Sequence, residues 1–159
     1  MKIKKNKTKI LIVDDEDDIT LSFKRILEIH GFEVDAFNDS KLALSKFKVN
    51  YYDIALLDIK MPYIDGFDLY KKIKEMDDNI KICFLTASEA YYQKFREKDY
   101  HELSRDLFIQ KPIELEELLK RIAYLMKWFD VRISISSTQS TCLDNLTNPG
   151  YVSLLETNF

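Results

Sequence analysis

Residues able to do chemistry stand at the ends of four short apolar runs in this chain. Asp14, Asp15 and Glu16 follow Ile10-Leu11-Ile12-Val13, and Asp58 follows Ile54-Ala55-Leu56-Leu57. Thr86 follows Ile82-Cys83-Phe84-Leu85, and Lys111-Pro112 comes shortly after Phe108-Ile109. Carboxylates gathered in one place repel and raise one another's pKa, so a cluster of three calls for a counter-charge. A divalent cation answers that demand, and Mg2+ suits an oxygen-only ligand set that leaves room for waters or a phosphate oxygen. The Thr86 hydroxyl could then bond a phosphoryl oxygen, and the Lys111 ammonium could neutralise it. Each residue also has a simpler reading. Asp14 and Asp15 suit a helix N-terminus, where acidic side chains cap free N–H groups and meet the positive end of the dipole. Thr86 suits a cap as well, and Lys111 a solvated surface. Asp58 fits capping poorly, because Met61-Pro62 and Asp65-Gly66 mark the stretch after it as a loop.

The elements that would position these residues are legible from hydrophobic period. Four branched residues at 10–13 read as a strand buried on both faces. From Glu16, Ile19, Phe23, Ile26 and Leu27 recur at helical spacing until Gly31, a stop signal. Glu33-Val34-Asp35-Ala36-Phe37 reads as a second strand, Asn38 or Asp39 as a cap, and Leu42, Ala43 and Phe47 as the apolar side of a helix. Residues 53–57 make a third strand, followed by a helix carrying Leu69, Tyr70, Ile73 and Met76. Residues 81–85 and 106–109 supply two more strands. A last helix bears Leu115, Leu118, Leu119, Ile122, Leu125 and Phe129 on one face. Strands alternating with helices predict an α/β fold: a doubly wound, five-stranded parallel sheet with helices on both faces. In the flavodoxin-like order 2-1-3-4-5, ligands bind at the carboxyl ends of strands one and three, where the order reverses. Those ends carry the acidic residues.

Composition narrows the class. With 159 residues, 46% of them hydrophobic, the chain can bury a core of one domain and have an extension left over. The expected division is a basic arm over residues 1–7, a domain over 8–128, and a flexible tail over 129–159 with no output domain. A formal net charge of −3 argues against nucleic acid as a partner, and the lysines at 2, 4, 5, 7 and 9 fit a solvated N-terminus. Cys83 and Cys142 make no disulfide framework, and no apolar stretch approaches the roughly 20 residues of a membrane span. No signal peptide precedes the first strand, so a cytoplasmic location is expected. His30 and His101 lack a second ligand at metal spacing. In the tail, Val131 to Ser136 alternates like a brief strand, residues 136–141 are polar, and Asn148-Pro149-Gly150 reads as a turn.

Taken together, Val13-Asp14-Asp15-Glu16, Leu57-Asp58-Ile59-Lys60-Met61-Pro62, Asp65-Gly66, Leu85-Thr86-Ala87 and Lys111-Pro112 resemble the receiver domain of two-component response regulators over residues 8–128. The resemblance implies that Asp58 accepts a phosphoryl group from a histidine kinase or phosphotransfer protein. It implies Mg2+ held by Asp15, Asp58 and the backbone carbonyl of Lys60, with Asp14 acting through water. Thr86 and Lys111 would contact the phosphoryl group, the Lys111-Pro112 bond would be cis, and phosphorylation would switch a contact with a downstream protein or a second copy. Phe108 falls where relatives place a switch aromatic, although an ordinary core role fits it equally. Lys60 and Ser88 fall where relatives tune phosphoryl lifetime. Such a domain is a phosphoacceptor with weak self-catalysis rather than a turnover enzyme.

The segment between Thr86 and Phe108 departs from the family pattern, with no glycine and with aromatics at Tyr91, Tyr92, Phe95 and Tyr100. A long fourth helix is expected there, and some of these aromatics could form a partner surface. Three other functions stand beside the leading one. A phosphorylation-independent scaffold would need a decayed site, but all five positions are intact. A phosphatase of the haloacid dehalogenase type would need a general acid two residues after the nucleophile, where Lys60 stands. A DNA-binding regulator would need an output domain.

Overall fold

The computed structural model describes residues 7–88, 93 and 103–136, the last ten of these in backbone alone. The chain divides after Ile113 into two compact units. In the first, β1 (Lys9–Val13), α1 (Asp17–Ile29), β2 (Glu33–Phe37), α2 (Ser40–Ser45), β3 (Ile54–Asp58), α3 (Gly66–Met76), β4 (Lys81–Thr86) and β5 (Phe108–Gln110) follow in turn. The five strands form one sheet in the order β2-β1-β3-β4-β5, and each neighbouring pair is parallel. This is the doubly wound, flavodoxin-like arrangement expected from the alternation of periods.

The apolar runs become the central strands because both of their faces are covered. Ile10 to Val13 and Ile54 to Leu57 have no exposed surface. Leu11, Val13, Ala55, Leu57, Ile82, Phe84 and Phe108 point to the side where Ala43 of α2 and Leu69 and Ile73 of α3 complete the core. Phe84 is its centre, stacked on Phe108 with ring centroids 5.1 Å apart and flanked by Phe67 and Tyr70. Helix α1 runs along β1 and β2, with Leu27 buried. Right-handed crossovers put it on the face opposite α2 and α3, because the strand order reverses between β1 and β3.

Local chemistry closes the connections. Gly31 takes φ +90 directly after α1. The Asp39 carboxylate accepts from the Leu42 N–H at 2.7 Å and starts α2. At the opposite end of the sheet from the acidic residues, buried Asp77 accepts from the N–H groups of Asn50 and Asn79, at 2.7 and 3.1 Å. That carboxylate ties the turn before β3 to the turn after α3.

Several boundaries differ from the sequence expectation. β3 and β4 extend one residue further, so Asp58 and Thr86 are themselves strand residues. The fifth strand is Phe108–Gln110. Asp106 and Leu107 belong to a 3-10 turn, Arg105–Leu107, because the Ser104 hydroxyl caps it by accepting from the Asp106 N–H. Helix α2 ends at Ser45, which leaves Phe47 beyond it, and both Leu42 (45%) and Met76 (43%) are exposed. Leu44 and Phe47 fill the place expected of Leu42.

The second unit contains α4 (Leu115–Ser136), with Leu118, Leu119, Ile122 and Leu125 buried and Leu115 at its exposed start. Pairs Glu116–Lys120 and Glu117–Arg121, one turn apart, span its first turns. The backbone is helical through Ser136, where a short strand was expected. Val131, Ile133 and Ile135 have strand-like alternation, but extending a running helix adds one hydrogen bond per residue ordered. The aromatics Tyr91, Tyr92, Phe95 and Tyr100, together with His101, Cys142, the lysines at 2, 4 and 5, and residues 137–159 lie outside the described residues.

Candidate functional site

The site stands at the carboxyl ends of β1, β3 and β4, with Lys111 arriving from the end of β5. Asp14 continues the β1 ladder through its N–H, which donates to the Phe37 carbonyl at 3.2 Å. Its side chain has no exposed surface. One carboxylate oxygen accepts from the Glu16 N–H at 3.0 Å, and the other from Lys111 Nζ at 2.9 Å. Asp58, the last residue of β3, is 4% exposed. Asp15 is exposed beside them. Oxygens of Asp14, Asp15 and Asp58 all lie within 4.8 Å of one another, a spacing compatible with one shared cation.

Lys111 is placed by its backbone. Its N–H donates to the Thr86 carbonyl at 2.7 Å, and its bond to Pro112 is cis. The side chain, 9% exposed, reaches Asp58 Oδ1 at 2.8 Å, Asp14 Oδ2 at 2.9 Å and Glu16 Oε1 at 3.0 Å. The simple reading of Lys111 as a solvated lysine is therefore wrong. Burial works against its charge, but hydrogen bonds to Asp58, Asp14 and Glu16 outweigh burial and hold the ammonium above its ordinary range. For Asp58, burial dominates and raises the carboxyl pKa; the Lys111 hydrogen bond opposes that rise, and the nearby Asp14 charge adds to it.

Thr86 is engaged locally. Its hydroxyl donates to the Ser88 carbonyl at 2.9 Å and accepts from the Ser88 N–H at 3.1 Å, which is the cap-like arrangement the sequence allowed. Phe108 lies inward, 8% exposed and stacked on Phe84. Lys60 is exposed, and its backbone helps hold the Asp58 carboxylate.

Two residues to which the sequence reading assigns no role at the site contribute to it. Glu16 read as the start of a helix, yet its carboxylate lies on Lys111. Gly66 read as a loop residue, yet it starts α3 directly against the phosphoacceptor candidate's backbone. A Cβ on Gly66 would lie 2.3 Å from the Asp58 carbonyl oxygen and 2.9 Å from Ile59 Cα. Its N–H donates to the Ile59 carbonyl at 3.0 Å, and Asp65 caps the helix from the preceding position.

Comparison with known proteins bears on the family and the fold. The family model of the response regulator receiver domain matches residues 10–123. The response regulator ArlR of Staphylococcus saprophyticus is 36% identical over 120 residues, which cover 76% of this chain and 53% of the relative. The chain thus spans about half the length of the curated relatives it matches. Among solved structures, a CheY-like receiver domain protein from Methanospirillum hungatei JF-1 superposes with a TM-score of 0.65 at 27% identity, covering 79% of this chain and 98% of that one. The receiver domain of a Francisella response regulator gives 0.65 at 30% identity, covering 77% and 98%.

Proposed function

Because the chain belongs to the family of response regulator receiver domains, we propose that Asp58 accepts a phosphoryl group from the histidine of a sensor kinase or phosphotransfer protein. The observation that carries this reading is the convergence of Asp14, Asp15, Asp58 and Lys111 at one strand-end cluster. A carboxylate oxygen of Asp58 attacks phosphorus in line, an acyl phosphate bond forms, and the P–N bond breaks with its electron pair leaving on the donor imidazole. Such transfers ask little covalent help of the protein, mainly alignment and charge stabilisation on the equatorial oxygens. Lys111 already sits 2.8 Å from Asp58 Oδ1 and supplies positive charge where the phosphoryl oxygens arrive. The Thr86 hydroxyl must release the bond it donates to the Ser88 carbonyl before it can donate to the phosphoryl group, so its reorientation couples the site to the segment after β4.

The donor set fits Mg2+: three carboxylates with oxygens within 4.8 Å, one of them exposed to admit waters. Asp15, Asp58 and the Lys60 carbonyl are the proposed direct ligands, with Asp14 acting through water. The ion, when bound, supplies charge neutralisation for the transferring group. The chain's own part is to hold the carboxylates together and to keep Lys111 beside them. The readout is a phosphorylation-dependent contact with a downstream protein, or with a second copy, in two-component signalling, with at most weak self-catalysed hydrolysis. No helix among the described residues is long and apolar enough to cross a membrane.

The test is intact-mass measurement after incubation with Mg2+ and a small-molecule phosphodonor. One added phosphoryl group, absent in Asp58→Asn and absent without Mg2+, supports the proposal. No gain, under conditions that label another receiver, refutes it and leaves a phosphorylation-independent interaction module.

A further inference from the structure

Resting on this reading of Asp58, we infer that Glu16 is a positioning residue for Lys111, the anchor that keeps the ammonium in the site once Asp14 and Asp58 are engaged elsewhere. Glu16 occupies the N-cap position of α1, where a side chain ordinarily accepts from an N–H of the first turn. Here the side chain makes no such bond. Its backbone alone serves the helix, the carbonyl accepting from the N–H groups of Ile19 and Thr20 at 3.1 Å each. The carboxylate is thereby released to reach Lys111 at 3.0 Å. The Glu16 backbone is itself fixed from the site side, because its N–H donates to Asp14 Oδ1 at 3.0 Å.

An ammonium has three N–H donors. In Lys111 they meet three carboxylates: Asp14, Asp58 and Glu16. Two of those belong to the cluster spaced for a cation, and Glu16 does not. Phosphorylation converts the Asp58 carboxylate into an acyl phosphate, and a cation draws on both Asp14 and Asp58. Of the three carboxylates, Glu16 is the one that neither belongs to the cation cluster nor changes chemically, so it can hold Lys111 in the same way before and after the phosphoryl group arrives. Interactions that persist as charge moves hold a group aligned without fresh reorganisation. Without this tether, a four-carbon side chain regains rotamer freedom when alignment is needed.

The experiment compares the parent chain with Glu16→Gln and Glu16→Asp. Thermal melts come first: a side chain that is 61% exposed with no capping bond should be replaceable with the fold intact. The second readout is the Lys111 ammonium resonance in nitrogen–proton spectra, without and with Mg2+. The parent is expected to retain a protected signal in both conditions. Glu16→Gln should weaken it without Mg2+ and lose it with Mg2+, and Glu16→Asp should fall between. The third is the rate of labelling by a small phosphodonor, which should fall about 3- to 10-fold in Glu16→Gln, the range of one charge-assisted contact with a partly exposed partner. Unchanged Lys111 signals in Glu16→Gln overturn the inference, even with slower labelling, since the effect would then come from the net charge of the site. An unchanged labelling rate overturns it as well. If the parent takes no phosphoryl group at all, the functional reading fails, while the spectra still report whether Glu16 holds Lys111.

Discussion

Replacing Gly66 with alanine sets two effects of opposite sign against each other. Alanine is the better helix former, and in an open helical position it would stabilise by about 1 kcal/mol. At Gly66, however, the new Cβ would lie 2.3 Å from the Asp58 carbonyl oxygen, 2.9 Å from Ile59 Cα and 3.0 Å from the Asp58 carbonyl carbon. All three are backbone atoms, so no side chain can swing aside, and the start of α3 must move away from the end of β3. Overpacking of this kind costs about 3 kcal/mol. The displacement also endangers the Gly66 N–H bond to the Ile59 carbonyl, 3.0 Å long, worth about 1 kcal/mol. The sum is a net loss of about 3 kcal/mol. With a urea slope of about 2 kcal/mol/M, the unfolding midpoint should drop by roughly 1.5 M. Gly31→Ala is the control. No described residue lies within 4 Å of a Cβ there, so its φ of +90 is what resists alanine, and the cost should stay near 1 kcal/mol. Gly31→Asn should recover part of that cost, since asparagine tolerates positive φ, whereas Gly66→Asn should recover nothing. A Gly66→Ala chain at least as stable as the parent would refute the claim that α3 must start against the Asp58 backbone.

Three further outcomes can be measured by the same unfolding experiments. Asp77→Ala strips the acceptor from two N–H groups beside a carboxylate that is 4% exposed, and should cost about 2–3 kcal/mol, with Asp77→Asn recovering part of it; a loss below 0.5 kcal/mol, about the size of a surface substitution, would contradict the linking role. Lys111→Met leaves the buried Asp14 and Asp58 without their counter-charge, so stability at pH 7 should fall by about 3 kcal/mol. Added Mg2+ should restore more stability to this variant than to the parent; equal responses would count against a shared site. Tyr52, which is 5% exposed and donates to Asp35 at 2.8 Å, has its pKa raised from 10.0 by burial and by that bond. The raised folded value means its contribution is complete below pH 10 and lost above it, as the unfolded phenol ionises first. Tyr52→Phe should be about 1 kcal/mol less stable at pH 7, and the gap should close about one unit above pH 10, since each unit is worth about 1.4 kcal/mol. A gap that persists at pH 11 would contradict the assignment.

The parts of this molecule legible in its sequence share one physical property, which is that covalent continuity enforces them. A strand buried on both faces must be an unbroken apolar run, so β1, β3 and β4 were visible as such, and the residue closing each run inherits a fixed place at the sheet's carboxyl edge. Asp14, Asp58 and Thr86 stand at that edge for that reason. Boundaries were less legible where a local hydrogen bond competes with the ladder. The Ser104 hydroxyl takes the Asp106 N–H, and what reads as four strand residues becomes a turn and a three-residue strand. The end of α4 was misread because alternation at Val131, Ile133 and Ile135 carries no information about the helix already running into it.

Lateral relations are the hardest to read, since they arise only when distant segments meet. Glu16 and Lys111 are 95 residues apart, and nothing in either local pattern names the other. Within its own segment Glu16 is a helix start, and that reading is right for its backbone and wrong for its side chain. Gly66 shows the same division: its own segment reads as a loop, while the need for glycine comes from Asp58 across that loop. At such positions one residue serves two constraints, a local one set by its element and a distant one set by packing of the site. Substitution separates them. A variant that satisfies the local constraint alone, alanine at Gly66 or glutamine at Glu16, keeps the element and should lose the alignment. Functional side chains of this kind are found by asking which local role a residue has left unfilled, as Glu16 leaves its cap.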